Sequence, residues 1–201
     1  MTNQYLSLST TSLWTRLKVG LLMSLVLGIS ACSSTNESNS DIHAGQKYEV
    51  FLEDKSGNTI NIGFVEKQGN KYNFERDDSK FKDFFLSMKE MKCLEGAEIL
   101  CHIHYPYPQN DVTEQNNSVW LSHELLFMYK RANQFGARLR QGVYFELVPD
   151  GEGFKGVAYS LDLDDLASPP DNLSIPPINT DELELLEVDE RWLPYLKIKQ
   201  M

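Results

Sequence analysis

The stretch Gly142–Leu161 reads GVYFELVPDGEGFKGVAYSL and decides the fold class of this chain. Two segments rich in Val, Tyr and Phe flank the turn residues PDGEG at 149–153. Strand-forming residues on either side of a Pro- and Gly-rich turn predict a β-hairpin. We therefore expect a sheet built from antiparallel neighbours.

The region 46–76 shows the same kind of pattern. Three short segments with partial apolar alternation are separated by the turn signals SGN at 56–58 and QGN at 68–70. Alternation with a period of two residues is typical of a strand with one buried face. The region therefore predicts a meander of three strands.

The hydrophobic period changes after this meander. Apolar side chains now recur at helical spacing with charged residues between them, and Asp78 or Ser79 stands where an N-cap is expected. The apolar stripe consists of Phe81, Phe84, Phe85, Met88 and Met91. It predicts an amphipathic helix from Phe81 to Met91 that covers the apolar face of the sheet.

The remaining elements complete the expected domain. Residues 98–105 are typical of a strand, 118–129 of a short helix or turn that runs into a strand, and 192–198 of a final strand. The predicted fold class is α+β. We expect a curved antiparallel sheet or small open barrel with one amphipathic helix packed on it.

The N-terminal residues indicate the compartment. Arg16 and Lys18 precede the uncharged apolar run 19–28, which is shorter than the about 20 residues that a membrane span needs. Small residues follow, before Cys32. This order predicts a secretory signal. The expected organisation is a signal peptide over 1–31, a flexible Ser- and Asn-rich tether over 32–42 and a single periplasmic domain over 43–201.

The tetrad Ile29-Ser30-Ala31-Cys32 resembles the lipobox of bacterial lipoproteins. This resemblance implies that a peptidase cuts before Cys32 and that the Cys32 thiol receives a diacylglycerol. Two or more acyl chains hold a protein stably on a bilayer. By analogy with the sorting of such lipoproteins, Ser33 implies an outer-membrane location with the domain facing the periplasm.

The charge of the mature chain bears on its partners. Loss of Arg16 and Lys18 would leave 17 of the 19 basic residues against 29 acidic ones, a net charge of −12. Such a surface lacks the basic footprint of nucleic-acid-binding proteins. We therefore expect no nucleic-acid partner, and we expect lipid on Cys32, rather than surface charge, to provide the membrane contact.

The two remaining cysteines are Cys93 and Cys101. An even pair in an oxidising compartment predicts a disulfide, and the alternative is two buried free thiols that pack as small apolar side chains.

Three histidines are candidate metal ligands. His102 and His104 are two residues apart on a predicted strand, so their imidazoles would share a face, and His123 beside Glu124 could complete a zinc site. The HExxH spacing is absent. The alternative is that His102 and His104 face solvent on a half-exposed strand. We favour the second interpretation and predict no metal or other cofactor.

Aspartates near the end of the chain raise the question of calcium. Asp162, Asp164, Asp165 and Asp171 could supply carboxylate oxygens, but the glycine and terminal Glu of an EF-hand loop are missing. Asp162 and Asp164 are more simply the solvent face of a strand.

The segment Tyr105-Pro106-Tyr107-Pro108 is the best candidate for partner recognition. Aromatic rings between prolines form a stiff surface that loses little entropy on binding. An envelope protein or peptidoglycan could therefore stack on Tyr105 and Tyr107. The alternative is a proline-terminated strand whose tyrosines pack on the fold.

The function predicted from these observations is a lipid-anchored envelope lipoprotein with a non-enzymatic binding or structural role. The alternative is a periplasmic metal-assisted hydrolase that uses His102, His104 and His123. Three segments resemble stretches of uncharacterised proteobacterial proteins: FFLSMKEMKCLEG (84–96), CHIHYPYP (101–108) and WLSHELLFMYK (120–130). That resemblance, which spans 81–196, implies a single domain and assigns no functional residue.

Overall fold

The computed structural model describes residues 45–68, 71–86, 89–113, 116–134 and 140–201. The predicted signal peptide over 1–31, the predicted lipidation residue Cys32 and the predicted tether over 32–42 lie outside the described residues.

Eleven strands and one α-helix make up the described part of the chain, together with three short 3₁₀ turns. The first six strands are β1 (Lys47–Glu53), β2 (Thr59–Gln68), β3 (Lys71–Arg76), β4 (Lys82–Leu86), β5 (Lys89–Glu95) and β6 (Glu98–Ile103). The helix α1 (Asn117–Glu124) comes next and is followed by β7 (Leu126–Arg131), β8 (Gln141–Asp150), β9 (Gly153–Asp162), β10 (Glu184–Leu185) and β11 (Tyr195–Gln200). The 3₁₀ turns are Leu163–Leu166, Thr180–Glu182 and Val188–Glu190.

All eleven strands belong to one antiparallel sheet with the order β3-β2-β1-β11-β9-β8-β7-β6-β5-β4, and β10 pairs with β9. Two meanders, β1–β3 and β4–β9, are joined by β11, which pairs with β1 on one side and β9 on the other. The predicted hairpin at 142–161, the meander at 46–76 and the final strand are confirmed. The predicted helix running into a strand is confirmed as α1 and β7.

The sheet curls into a half-barrel around α1. The curl is visible in contacts between strands that lie far apart in the strand order: α1 contacts both β3 and β8, and Phe74 of β3 contacts His102 of β6. Trp120, Leu121 and Leu125 lie inside the curl and are completely buried. The helix therefore fills the concave side of the sheet.

The predicted helix from Phe81 to Met91 is wrong. β4 and β5 form an antiparallel hairpin in this region, and residues 87 and 88 lie outside the described residues. Phe84 lies opposite Met91 on one face, whereas Phe85 is 77% exposed on the other. The apolar residues only mimic a helical spacing, because they belong to two separate strands. Pairing of β4 with β5 and of β5 with β6 overrides the local periodicity. The fold is therefore mostly β, with the one described helix elsewhere in the chain.

Apolar side chains pack on both faces of the sheet around β5–β7. Leu94, Leu100 and Phe127 belong to the main core inside the curl. A second cluster on the convex face consists of Leu86, Cys93, Ile99, Cys101 and Met128. Burial on both faces explains why β6 and the start of β7 are nearly continuous apolar runs rather than alternating ones.

A β-bulge sets the course of β2 towards the β3 edge. The register between β1 and β2 shifts after Val50, and Gly63 adopts a φ of 141°. A Cβ atom at this position would collide with the backbone of Glu75 on β3, so only glycine fits. Gly63 lies opposite Arg76 at the end of β3, and the bulge therefore helps to place the Arg76 side chain.

A buried ion pair attaches the C-terminal segment to β6. Arg191 contacts Glu98 at an N–O distance of 3.1 Å, and their side chains are 3% and 7% exposed. The Arg191 guanidinium also lies over the Tyr129 ring at 3.8 Å, and the Trp192 N–H donates to Glu98 at 3.3 Å. Burial raises the pKa of Glu98, and Arg191 opposes that effect.

Among the described residues, none of the helical segments has the length and apolar character required to cross a membrane.

Candidate functional site

The disulfide prediction is confirmed. Cys93 and Cys101 are direct cross-strand partners on β5 and β6, with an S–S distance of 2.02 Å. Both residues are completely buried in the convex-face cluster. The bridge therefore fixes the strand pair that carries one wall of the site.

His102 lies on the concave side of β6 and does not face solvent as expected. Its ring packs edge-on against Phe74 and Phe127, with centroid distances of 5.0 and 5.5 Å. Burial lowers the pKa of His102 to about 4, against the opposing effect of a hydrogen bond to Glu124. The imidazole is therefore neutral near pH 7.

The hydrogen bonds of His102 define its tautomer. Arg76 Nη1 lies 3.3 Å from His102 Nδ1, and the Glu124 backbone oxygen lies 3.0 Å from His102 Nε2. A guanidinium can only donate and a carbonyl can only accept, so Nδ1 accepts and Nε2–H donates. Arg76 is itself held by Asp78 at 2.7 Å. This chain of contacts ties β3 to β6 and to the end of α1.

His104 follows the last residue of β6 and points outward. Its side chain is 78% exposed, and its Nδ1 atom lies 3.7 Å from a Glu124 carboxylate oxygen. The Glu124 carboxylate is buried and also accepts a hydrogen bond from Gln109. Of the two strand histidines, only His104 matches the expected exposure.

His123 is completely buried on α1. Its Nδ1 atom lies 2.7 Å from the Val119 carbonyl, so Nδ1–H donates. Aromatic rings of Tyr105, Trp120 and Tyr144 surround it at centroid distances of 5.1 to 5.5 Å. Burial lowers its pKa to about 4. His123 is therefore a neutral part of the core.

These positions do not form the predicted alternative metal site. Both nitrogens of His102 are hydrogen-bonded, and His123 lies in the aromatic core rather than beside His104. Within the described ranges, no three His, Cys, Asp or Glu residues cluster in a way that could hold a metal ion. The three histidines thus give the hydrolase alternative no structural support.

The aspartates considered for calcium also have other roles. β9 ends at Asp162, which accepts a hydrogen bond from the Asp164 N–H at 3.0 Å and caps the first 3₁₀ turn. Asp164 forms an ion pair with Arg140. The predicted strand therefore stops one residue before Leu163.

The structure places the two tyrosines proposed for recognition differently from each other. Tyr105 is 3% exposed and packs on Trp120 and His123, because β6 ends at Ile103 and the strand alternation stops there. The Tyr105 ring is therefore enclosed by the fold, as in the alternative interpretation of this segment. Tyr107 is half-buried, and its hydroxyl donates to the Leu166 carbonyl at 3.0 Å.

Tyr107 nevertheless borders a surface pocket of about 250 Å³. Its other walls include Leu166, Pro169, Pro170 and Pro177. Of the recognition segment, Tyr107 is thus the aromatic residue that a partner can reach.

A larger cleft of about 690 Å³ lies between the β3 edge and the strands β5 and β6. Phe74 and Arg76 line one side, Glu90 and Lys92 line the other, and His102 lies between them. The remaining lining residues are Glu75, Asp78, Lys89, Met91, Ile103 and His104. The cleft thus combines charged groups of both signs with the apolar side chains of Phe74, Met91 and Ile103, which suits a chain-like partner with mixed polarity rather than a single small ion.

The cleft continues into an apolar groove of about 290 Å³ on the convex side. Lys89, Met91, Ile103 and His104 line both. Pro106, Met128, Leu163 and Leu166 line the groove but not the cleft. Because Leu166 also borders the Tyr107 pocket, the three depressions form a continuous band on the surface.

Sequence reasoning missed most of this site. Arg76, Lys89 and Glu90 carry no motif, and Arg76 meets His102 only because the sheet curls. A signal was available in β4, where two adjacent aromatic residues follow Lys82-Asp83 within a strand-forming segment. The same two residues also fit the helical stripe predicted from Phe81 to Met91.

Comparisons with known proteins give no relative: the chain matches no protein-family model, no curated protein and no solved structure.

Proposed function

We propose that this chain is a lipid-anchored lipoprotein of the cell envelope, attached to the outer membrane through Cys32, with its domain in the periplasm. We further propose that the domain binds another envelope component through the cleft between β3 and β5–β6. The role is binding rather than catalysis. The observation that supports the binding role is the cleft between β3 and β5–β6.

Three properties of the cleft support a binding role. Its volume of about 690 Å³ falls within the range of about 300–1,000 Å³ that is common for ligand pockets. Its walls are preorganised, because Arg76 is held by Asp78 and by a neutral His102. Preorganised walls lose less entropy when a partner binds. The adjoining groove adds apolar area to the same surface.

The membrane anchor is supported by the order of residues before Cys32 and is tested separately from the cleft. We expect the native protein to carry the mass of a lipid and to fractionate with the outer membrane, and we expect Cys32→Ser to be unlipidated and soluble. Identical mass shifts and identical fractions for the two chains would contradict the anchor.

Binding through the cleft is tested by photocrosslinking of the full chain in cells. A benzophenone side chain is introduced at Glu90 in the cleft wall and, as a matched control, at the exposed Glu152 in the turn between β8 and β9. We expect a discrete crosslinked species from position 90 that is absent at position 152. The yield of this crosslinked species should fall when the Arg76→Met substitution, which disrupts the cleft wall, is added. The same species from both positions, or none from position 90, would contradict the proposal.

A further inference from the structure

The free edge of β4 indicates the chemical class of the partner. β4 ends the strand order and, within the described ranges, pairs only with β5. Its other side therefore presents backbone groups that no described strand pairs with. Such an edge is a template for a further strand, and many proteins recognise extended peptides in this way.

The register shows which backbone groups are free. Cys93 and Cys101 lie opposite each other with Cα atoms 3.9 Å apart, a short separation that is typical of a non-hydrogen-bonded pair. Cys93 must then hydrogen-bond towards β4, where its partner is Lys82. Because the pattern alternates along a strand, Asp83 and Phe85 direct their N–H and C=O groups away from β5.

The exposed aromatic ring on this edge is that of Phe85, whose backbone N–H and C=O groups also point away from β5. Phe85 is 77% exposed, more than any other large apolar side chain that the structure describes. It lies opposite Glu90, and Asp83 lies opposite Lys92, so these residues share the concave face. Glu90 and Lys92 line the cleft. A strand added to β4 would therefore direct every second side chain towards the cleft.

The usual protection of a free edge is weak on β4. Edge strands commonly carry unpaired charges or proline, which discourage further pairing. On β4 the charge of Lys82 is matched by Glu95, and that of Asp83 by Lys92. The strand KDFFL contains no proline. An incoming strand would therefore meet little uncompensated charge.

A second copy of this chain fits the edge poorly. Two-fold pairing of β4 with itself, centred on Phe84, would place Lys82 against Leu86 and Asp83 against Phe85. Each pair sets a charge against an apolar side chain. Centring on Phe85 would align only three residues of each strand. Self-complementarity, which an isologous interface requires, is therefore lacking.

We infer that β4 accepts an extended segment of a partner polypeptide, which pairs with the backbone of Asp83 and Phe85, covers the Phe85 ring with an apolar side chain and lies along the cleft. A polypeptide backbone supplies the alternating donors and acceptors that this edge requires. The inference rests on the proposed function and specifies its partner as a protein.

The test uses the purified full chain and a phage-displayed library of linear twelve-residue peptides. A selected peptide is synthesised and its Kd is measured. Phe85→Pro should weaken binding by about tenfold or more, the effect of one lost backbone hydrogen bond and one lost aromatic contact. Phe85→Thr, which keeps the N–H group, should weaken binding less. The matched control Val148→Thr, at a strand residue that is 42% exposed and lines none of the three depressions, should leave the Kd unchanged.

Hydrogen exchange gives a readout that is independent of affinity. Peptide binding should protect the Phe85 amide and leave the exchange of the Phe84 amide, which already faces β5, unchanged. Failure to select any peptide, equal binding by the Phe85 variants, or binding without protection of Phe85 would overturn the inference. Phe85→Pro removes no hydrogen bond to β5, because the Phe85 N–H faces away from that strand. If the proline variant unfolds, Phe85→Thr still tests the aromatic contact, and protection of the Phe85 amide in the native chain tests the backbone pairing.

The two proposals fail in different ways. Crosslinking from position 90 that is unaffected by Phe85→Pro would contradict strand addition but would agree with partner binding in the cleft. Peptide pairing with β4 in vitro, without a crosslinked partner in cells, would contradict the proposed function but would support strand addition to β4.

Discussion

The two edge strands of the curled sheet have similar compositions and opposite surroundings. β3 has the sequence KYNFER and β4 the sequence KDFFL, so each carries two aromatic residues among charged or polar ones. Phe74 of β3 packs against His102, and α1 lies beside this strand. Phe85 of β4 is 77% exposed. Composition therefore does not decide which edge is covered.

The difference follows from the curl. α1 is held by β8 on one side and reaches β3 on the other, so the β3 edge closes against the helix. β4 lies at the far end of the strand order, where the disulfide ties its neighbour β5 to β6. Packing and hydrogen bonds hold the β3 edge, whereas β4 pairs with β5 alone in the part of the chain that the structure describes.

The largest expected effect comes from removing the packing under the covered edge. Trp120 is completely buried, and its ring lies 5.3 Å from that of His123. Trp120→Ala should cost about 3–5 kcal/mol, because it leaves a large cavity. Urea unfolding measures the loss, and hydrogen exchange should rise in β3 more than in β4. Trp120→Phe is the control and should cost less. A loss below about 1 kcal/mol would contradict the role of Trp120.

Acid should weaken the same edge. Burial lowers the pKa of His123 from 6.5 to about 4, so the folded state stays neutral while the unfolded state takes up a proton. Stability should therefore fall as the pH drops from about 6.5 to about 4, by about 3 kcal/mol for this group.

His123→Phe tests that pH effect. Between pH 7 and pH 4 the variant should lose about 3 kcal/mol less than the native chain, measured by urea unfolding at both pH values. His102, whose pKa is also lowered to about 4, should retain its own contribution in the variant. If the stability of the native chain and of His123→Phe changed with pH in the same way, the pKa of His123 would be equal in the folded and unfolded states.

Removal of the disulfide should affect the other side of the molecule. The bridge joins residues eight apart, and in the chain-entropy model its loss costs about 2.5 kcal/mol. The double variant Cys93→Ala with Cys101→Ala should show faster hydrogen exchange in β4 and β5 and unchanged exchange in β3. Uniform acceleration across both edges would contradict the separation between them.

The smallest effect is expected at the open edge itself. Phe85→Thr should change the free energy of unfolding by no more than about 0.5 kcal/mol, since the ring contributes little to the core. The matched change Phe74→Thr should cost more than about 1 kcal/mol, because Phe74 packs on His102. Thermal or urea unfolding of both variants makes the comparison. Equal losses would show that the edges are energetically alike.

Local signals predicted much of the sheet. The hairpin at 142–161 and the meander at 46–76 were readable because turn residues separate alternating segments whose pairing partners are adjacent in sequence. The disulfide followed from cysteine count and compartment. The region 81–91 was misinterpreted, since its apolar spacing fits a helix as well as two short strands. Pairing between β5 and β6 resolves that ambiguity.

Most of the candidate site could not be predicted from local sequence patterns. The sequence placed His102 and His104 on one solvent face, yet His102 faces inward and packs between residues of β3 and β7. Tyr105 turns into the core because β6 ends two residues earlier. These outcomes depend on which distant elements lie above a strand, and local patterns do not contain that information.

The sequence by itself determined the antiparallel strand pairs, the even cysteine pair and the order of residues that predicts a lipid anchor at Cys32. These properties depend on turn chemistry and on residues close together in the chain. Only the tertiary structure decided that α1 lies against β3, that β4 pairs on one side only among the described residues, and that Arg76 meets His102 in a cleft. The reason is physical: curling of the sheet around α1 joins strands that are far apart in sequence, and burial of those contacts overrides local preference.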